Sequence, residues 1–166
     1  MRKALLLLAV VSLSLTACTK DSTDPAQTKT QLITRTWQMQ TANVTVTANG
    51  LTVPVYVRGV TGNLVDYSKY QLALTGDGKF ALFDGNQTQT GTWQLLNNDT
   101  ELVLTYPDNT KATYTVDTAS ATNLDLGYQV LPTTQNATEK GFLAQVQALG
   151  QDASKGIKIA TKLIPQ

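Results

Sequence analysis

From Arg35 onward the chain is a succession of short runs in which apolar and polar residues alternate, each closed by Gly, Asn, Asp or Pro. A period of two places successive side chains on opposite faces of a pleated strand, so this pattern, sustained over most of a chain, specifies an antiparallel all-β domain. The first run covers residues 35 to 48. Asn49-Gly50 fits the two positive-φ positions of a tight hairpin, and residues 51 to 58 return with Val53, Val55 and Val57 on one face. Pro54 argues against a central place for this strand. After a longer connection at 59 to 68, Tyr70, Leu72 and Leu74 share a face. Phe80 and Leu82, Trp93 and Leu95, Leu102, Leu104 and Tyr106, Ala112, Tyr114 and Val116, and Leu124, Leu126, Tyr128 and Val130 do the same on later runs. The turns between them are Gly76-Asp77-Gly78, Asp84-Gly85-Asn86, Asn97-Asn98-Asp99 and Pro107-Asp108-Asn109.

Past Pro132 the period changes. Thr138 is placed to cap a helix running to about Leu149, with Phe142, Val146 and Leu149 on one face and Gly150 at its end, and residues 156 to 164 read as a final strand. Eight sequential strands joined by tight turns favour an up-and-down β-barrel, because closure removes the exposed edges of a flat meander. A β-sandwich needs crossovers, and only residues 59 to 68 and 131 to 137 are long enough to supply them.

Ahead of these strands the chain opens with Met1-Arg2-Lys3, an apolar run from Ala4 to Leu15, and Thr16-Ala17-Cys18. Twelve residues are short of the roughly 20 that span a bilayer, so the segment reads as a cleaved export signal. Leu15-Thr16-Ala17-Cys18 resembles the bacterial lipobox, which implies a diacylglycerol on the Cys18 thiol and acylation of the new amine after cleavage at 17. Two or three chains on one residue give lasting attachment to a membrane. The predicted organisation is a signal over 1 to 17, a lipidated tether over 18 to 31 and one domain over 32 to 166. Lys20, Asp21 and Asp24 are similar to signals that route some Bacteroidetes lipoproteins to the cell surface; the outer membrane is the expected location. Asp21-Ser22-Thr23 and Asp117-Thr118-Ala119 resemble a short O-glycosylation motif of exported proteins in that phylum.

Of the 13 Lys and Arg residues, Arg2 and Lys3 leave with the signal, so 11 face 12 acids in the mature chain. Nucleic acid is excluded as a partner, since phosphate binding needs a basic patch and these lysines are scattered. Cys18 is the only cysteine, which rules out an intrachain disulfide.

Two stretches carry a wider likeness. Leu32-Ile33-Thr34-Arg35-Thr36-Trp37-Gln38-Met39 and the run from Gly91-Thr92-Trp93 to Leu104, together with the hairpin at 76 to 78, resemble the lipocalin-like domain family of Bacteroidetes lipoproteins over about residues 32 to 131. Arg35 stands where that family has glycine before Thr-Trp. The resemblance implies a lipocalin-like barrel able to enclose an apolar ligand.

Six aromatic residues are therefore candidate ligand contacts. Trp37 and Trp93 would stack a ligand at the barrel mouth or, as barrel indoles usually do, plug the core. Tyr70, Tyr106, Tyr114 and Tyr128 would line a greasy cavity with a few polar points, or anchor the rim. Catalysis has no candidates: without histidine, and with one cysteine committed to lipid, nucleophile pairs and His or Cys metal sites cannot form. Asp77, Asp84, Asp99 and Asp108 fall in turns, where aspartate bonds local backbone. No catalytic residue, metal or cofactor is implied. The expected function is a membrane-anchored, non-enzymatic carrier of a small hydrophobic molecule. The alternative is an envelope protein-interaction module with a filled barrel.

Overall fold

The computed structural model describes residues 27 to 166; Cys18, the signal at 1 to 17 and the motif at 21 to 23 lie outside the described residues. Two helices, α1 (Lys29–Ile33) and α2 (Ala137–Ala148), accompany nine strands among the described residues. The strands are β1 (Thr36–Val46), β2 (Thr52–Val57), β3 (Gln71–Leu74), β4 (Lys79–Phe83), β5 (Thr88–Leu96), β6 (Glu101–Thr105), β7 (Lys111–Ala119), β8 (Leu124–Val130) and β9 (Ile157–Pro165).

All neighbouring strands are antiparallel, and β9 returns to pair with β1 from Trp37↔Pro165 to Val46↔Ile157. That pairing closes an eight-stranded barrel of β1 and β3 through β9, and it removes the sandwich alternative. The closing strand is thus the last one, whereas β2 is an extra strand beside the upper half of β1. The long β1 makes this possible: its first residues pair with β3 and its later ones, Thr41 to Thr45, with β2. Edge placement of β2 accommodates Pro54, which has no amide hydrogen to donate.

Two local expectations change. The register of β1 and β2 shifts at Ala42/Asn43, opposite Val55, so the predicted face of Val53, Val55 and Val57 is broken and Tyr56 becomes buried. The β1–β2 loop is five residues long, and of Asn49 and Gly50 only Gly50 takes a positive φ, at 73°. The Asn49 side chain instead accepts from the amide of Leu51 at 3.0 Å.

The barrel is sealed at one end. Ile33, Trp37, Leu72, Leu74, Leu102, Leu104, Leu124 and Leu163 are at most 1 % exposed there. Over them lies α1, which takes Lys29 to Gln31 out of the expected tether and into the folded domain. A capping box starts it: Thr28 Oγ1 accepts from Gln31 N at 3.2 Å, and Gln31 Oε1 accepts from Thr28 N at 2.8 Å. Lys29 Nζ donates to Asp99 O at 2.8 Å and Arg35 to Ala121 O at 2.5 Å, which tie this end to two hairpins.

Candidate functional site

Strand direction sorts the inward residues into two zones. Strands β1, β4, β6 and β8 run from the sealed end toward the opposite mouth, so their first inward residues pack the base and their last ones face the mouth. On β8 the sequence Leu124, Leu126, Tyr128, Val130 passes from core to cavity in this way. The upper half of the barrel, together with Val53 and Val55 of β2 and Leu64 and Val65 of the following loop, borders a half-open cavity of about 1230 Å³. Small-molecule sites usually measure about 300–1,000 Å³, so this space is as large as such sites. A filled barrel, which the protein-interaction alternative required, is not what the chain forms.

The wall is mostly aliphatic: Met39, Ala42, Val44 and Val46 from β1, Val130 from β8, and Ile157, Ile159 and Thr161 from β9. All four tyrosines expected as cavity residues, Tyr70, Tyr106, Tyr114 and Tyr128, line it, and Tyr67 from the loop before β3 joins them. The rings of Tyr114 and Tyr128 lie 5.2 Å apart at a 40° tilt, while Tyr106 packs edge-on against Phe80 at 5.3 Å.

These phenols sit deep in the molecule yet keep accessible surface, because the cavity reaches them. Desolvation pushes the Tyr70 and Tyr114 hydroxyls far above the ordinary tyrosine value. Tyr114 is raised further by the neighbouring Tyr70, Tyr106 and Tyr128 and by Glu139, and Tyr70 by Tyr106 and Tyr67. All of these tyrosines border the same cavity. Tyr128 is raised by desolvation first and then by its hydrogen bond to Glu139.

The two tryptophans are elsewhere. Trp37 is fully buried in the base, where its Nε1 donates to Ile33 O at 2.8 Å, and Trp93 is 8 % exposed with Nε1 donating to Thr75 O at 3.0 Å. Neither borders the cavity, which corrects their candidacy as ligand contacts: a buried indole needs an acceptor for its N–H, and both find one in backbone at the sealed end.

Across one side of the mouth lies α2. It begins at Ala137, one residue ahead of the predicted cap Thr138, and the cap is Asn136, whose carboxamide oxygen accepts from Glu139 N at 3.2 Å. Leu143, 8 % exposed, is its seat on a second apolar cluster with Val130, Ala153 and Ile157, flanked by Phe142 and Val146. Leu149 falls just past the helix and stays 74 % exposed at the rim, so it is not part of that seat. Gly150 ends the helix with φ 76° as predicted.

Sequence reasoning missed Glu139. Its carboxylate borders the cavity and accepts hydrogen bonds from the hydroxyls of Tyr128 and Thr134. The only signal was its spacing, three residues before Phe142 and seven before Val146 on the apolar stripe of α2, and it was masked because an acid in the first turn of a helix is ordinarily favoured. Besides Glu139, the only charged residues around the cavity among the described residues are Asp108 and Lys111, both exposed at the rim.

Of the four acids assigned to turns, Asp84 and Asp108 bond local backbone as expected, while Asp77 accepts from the Thr75 hydroxyl and pairs with Lys79. Asp84 accepts from the amides of Gln87 and Asn86, and Asp108 from the hydroxyl and amide of Thr110. No protein-family model matches this chain, and no curated protein matches it.

Proposed function

We propose that this chain is a lipid-anchored carrier of the bacterial outer membrane, holding one small, largely apolar molecule in a lipocalin-like barrel without transforming it. The observation that carries the reading is the cavity of about 1230 Å³, open at one end, aliphatic over most of its wall and provided with phenols. Apolar walls supply affinity, and a few placed polar groups fix orientation. The Leu15-Thr16-Ala17-Cys18 motif supports the anchor, with the membrane as partner through the lipid on Cys18.

Titration of the purified full chain with Nile red, a neutral apolar dye, tests the carrier. Saturable emission with about one dye per chain, displaced by a long-chain alcohol, is the expected result; emission that rises without saturating refutes it. Because both tryptophans lie in the base, their fluorescence is not the readout. For the anchor, Cys18→Ser should abolish incorporation of labelled palmitate in cells, and label still entering the variant would refute lipidation.

A further inference from the structure

The cavity has an electrostatic sign as well as a size. Among the described residues its one inward-placed charged group is Glu139, and the rim adds one acid, Asp108, and one base, Lys111. Glu139 meets the hydroxyl of Tyr128, whose ring lies 5.2 Å from that of Tyr114, and Tyr70 and Tyr106 border the same cavity. Aromatic faces carry negative potential and attract ammonium groups, most strongly where water is excluded. A carboxylate beside such faces attracts the same groups. Glu139 is also held in place, because Tyr128 and Thr134 each donate to one of its two oxygens. Each carboxylate oxygen can accept a further bond, so the group remains able to bind a ligand donor.

The remaining phenols can donate to a ligand oxygen. An anionic head brought among them, however, meets Glu139 with no opposing cation deeper than Lys111 at the rim among the described residues. A fatty-acid site needs the reverse arrangement, with a buried Arg or Lys to match the carboxylate.

Resting on the carrier reading above, we propose that the ligand class is a lipophilic amine: an apolar body in the aliphatic part of the cavity, and an ammonium head between Glu139 and the tyrosine faces.

Calorimetric titration of the purified full chain with decylammonium, decan-1-ol and decanoate at neutral pH separates the possibilities, since the three share one chain and differ in head charge. Decylammonium should bind about tenfold or more tighter than decanoate, with the alcohol between them. Glu139→Gln removes the charge and keeps an acceptor oxygen for one of the Tyr128 and Thr134 hydroxyls, while its NH2 can donate to the other once that hydroxyl turns. The substitution should erase most of the preference for decylammonium over decanoate, and a urea midpoint measured in parallel reports that the variant is folded. Decanoate binding as tightly as decylammonium, or an undiminished preference in Glu139→Gln, overturns the amine assignment and leaves the carrier standing. Failure of all three probes to bind overturns the carrier reading itself.

Discussion

Gly91 and Trp93 lie two residues apart on the inward face of β5, and each is required by a different neighbour. In the ladder Gly91 pairs with Phe80, and a Cβ there would stand 2.1 Å from Thr105 O and 2.7 Å from the Phe80 ring. Trp93 fills the base beyond it and satisfies its N–H on Thr75 O. The Gly-Thr-Trp run is thus an architectural unit, and its tryptophan a packing residue. Gly91→Ala should cost about 1–3 kcal/mol by overpacking, read as a lowered urea midpoint; an unchanged midpoint would show that the ladder relaxes freely. At this scale the alternating pattern told which tyrosines face inward, because a period of two is a property of the strand alone. It did not tell the depth of each residue, which depends on strand direction and on which end of the barrel is sealed. That is why the tyrosines and tryptophans, alike in pattern, separate into cavity and core.

Among the elements, the hairpins were legible from their turn residues, and the helix from its change of period and Gly150. Three features were not. The extra strand β2 depends on β1 being long enough to pair twice on one edge, a tertiary fact. The short α1 has a polar sequence, Lys29-Thr30-Gln31-Leu32-Ile33, and is held by its capping box and by the burial of Ile33 rather than by propensity. The role of α2 follows from where Leu143 and Glu139 land, one on the apolar cluster below it and one on the cavity. With a single well-buried anchor, α2 should open more readily than the barrel. Its amides should exchange with solvent faster than those of β6 and β8. Leu143→Ala should accelerate α2 exchange selectively while costing the global fold less than the roughly 2–5 kcal/mol of a barrel-core truncation. Uniform acceleration across helix and barrel would instead make α2 part of one cooperative unit.

For the whole molecule, two groups of ionisable residues bound the pH range of the fold. Asp84, held low by the amides of Gln87 and Asn86, and Asp77 and Asp108, held low by the hydroxyls of Thr75 and Thr110, have folded values below 3.8. Their contribution is present above the unfolded value and is lost as pH falls through the lower folded ones. Tyr67, Tyr70, Tyr106, Tyr114 and Tyr128 are shifted up from 10.0 by desolvation, so the folded chain keeps protons that the unfolded chain releases. That contribution is present below 10.0 and is lost as pH rises above it. Urea midpoints should therefore be level between these limits and fall on both sides. Tyrosinate absorbance should lag behind the free-phenol curve until unfolding begins, and an absorbance that follows the free curve would contradict a buried tyrosine cluster.

The central claim is that the upper barrel is a binding space rather than unused volume. Val44 borders that space and is only half-buried, so an indole at this position has room to occupy the cavity without displacing the base. The most direct test is Nile red stoichiometry in the full chain and in Val44→Trp, with urea midpoints measured in parallel. The account predicts saturation near one dye per chain, lost or weakened about tenfold or more in Val44→Trp while the midpoint is retained. Equal binding by the two folded proteins would place the dye outside the barrel and contradict it.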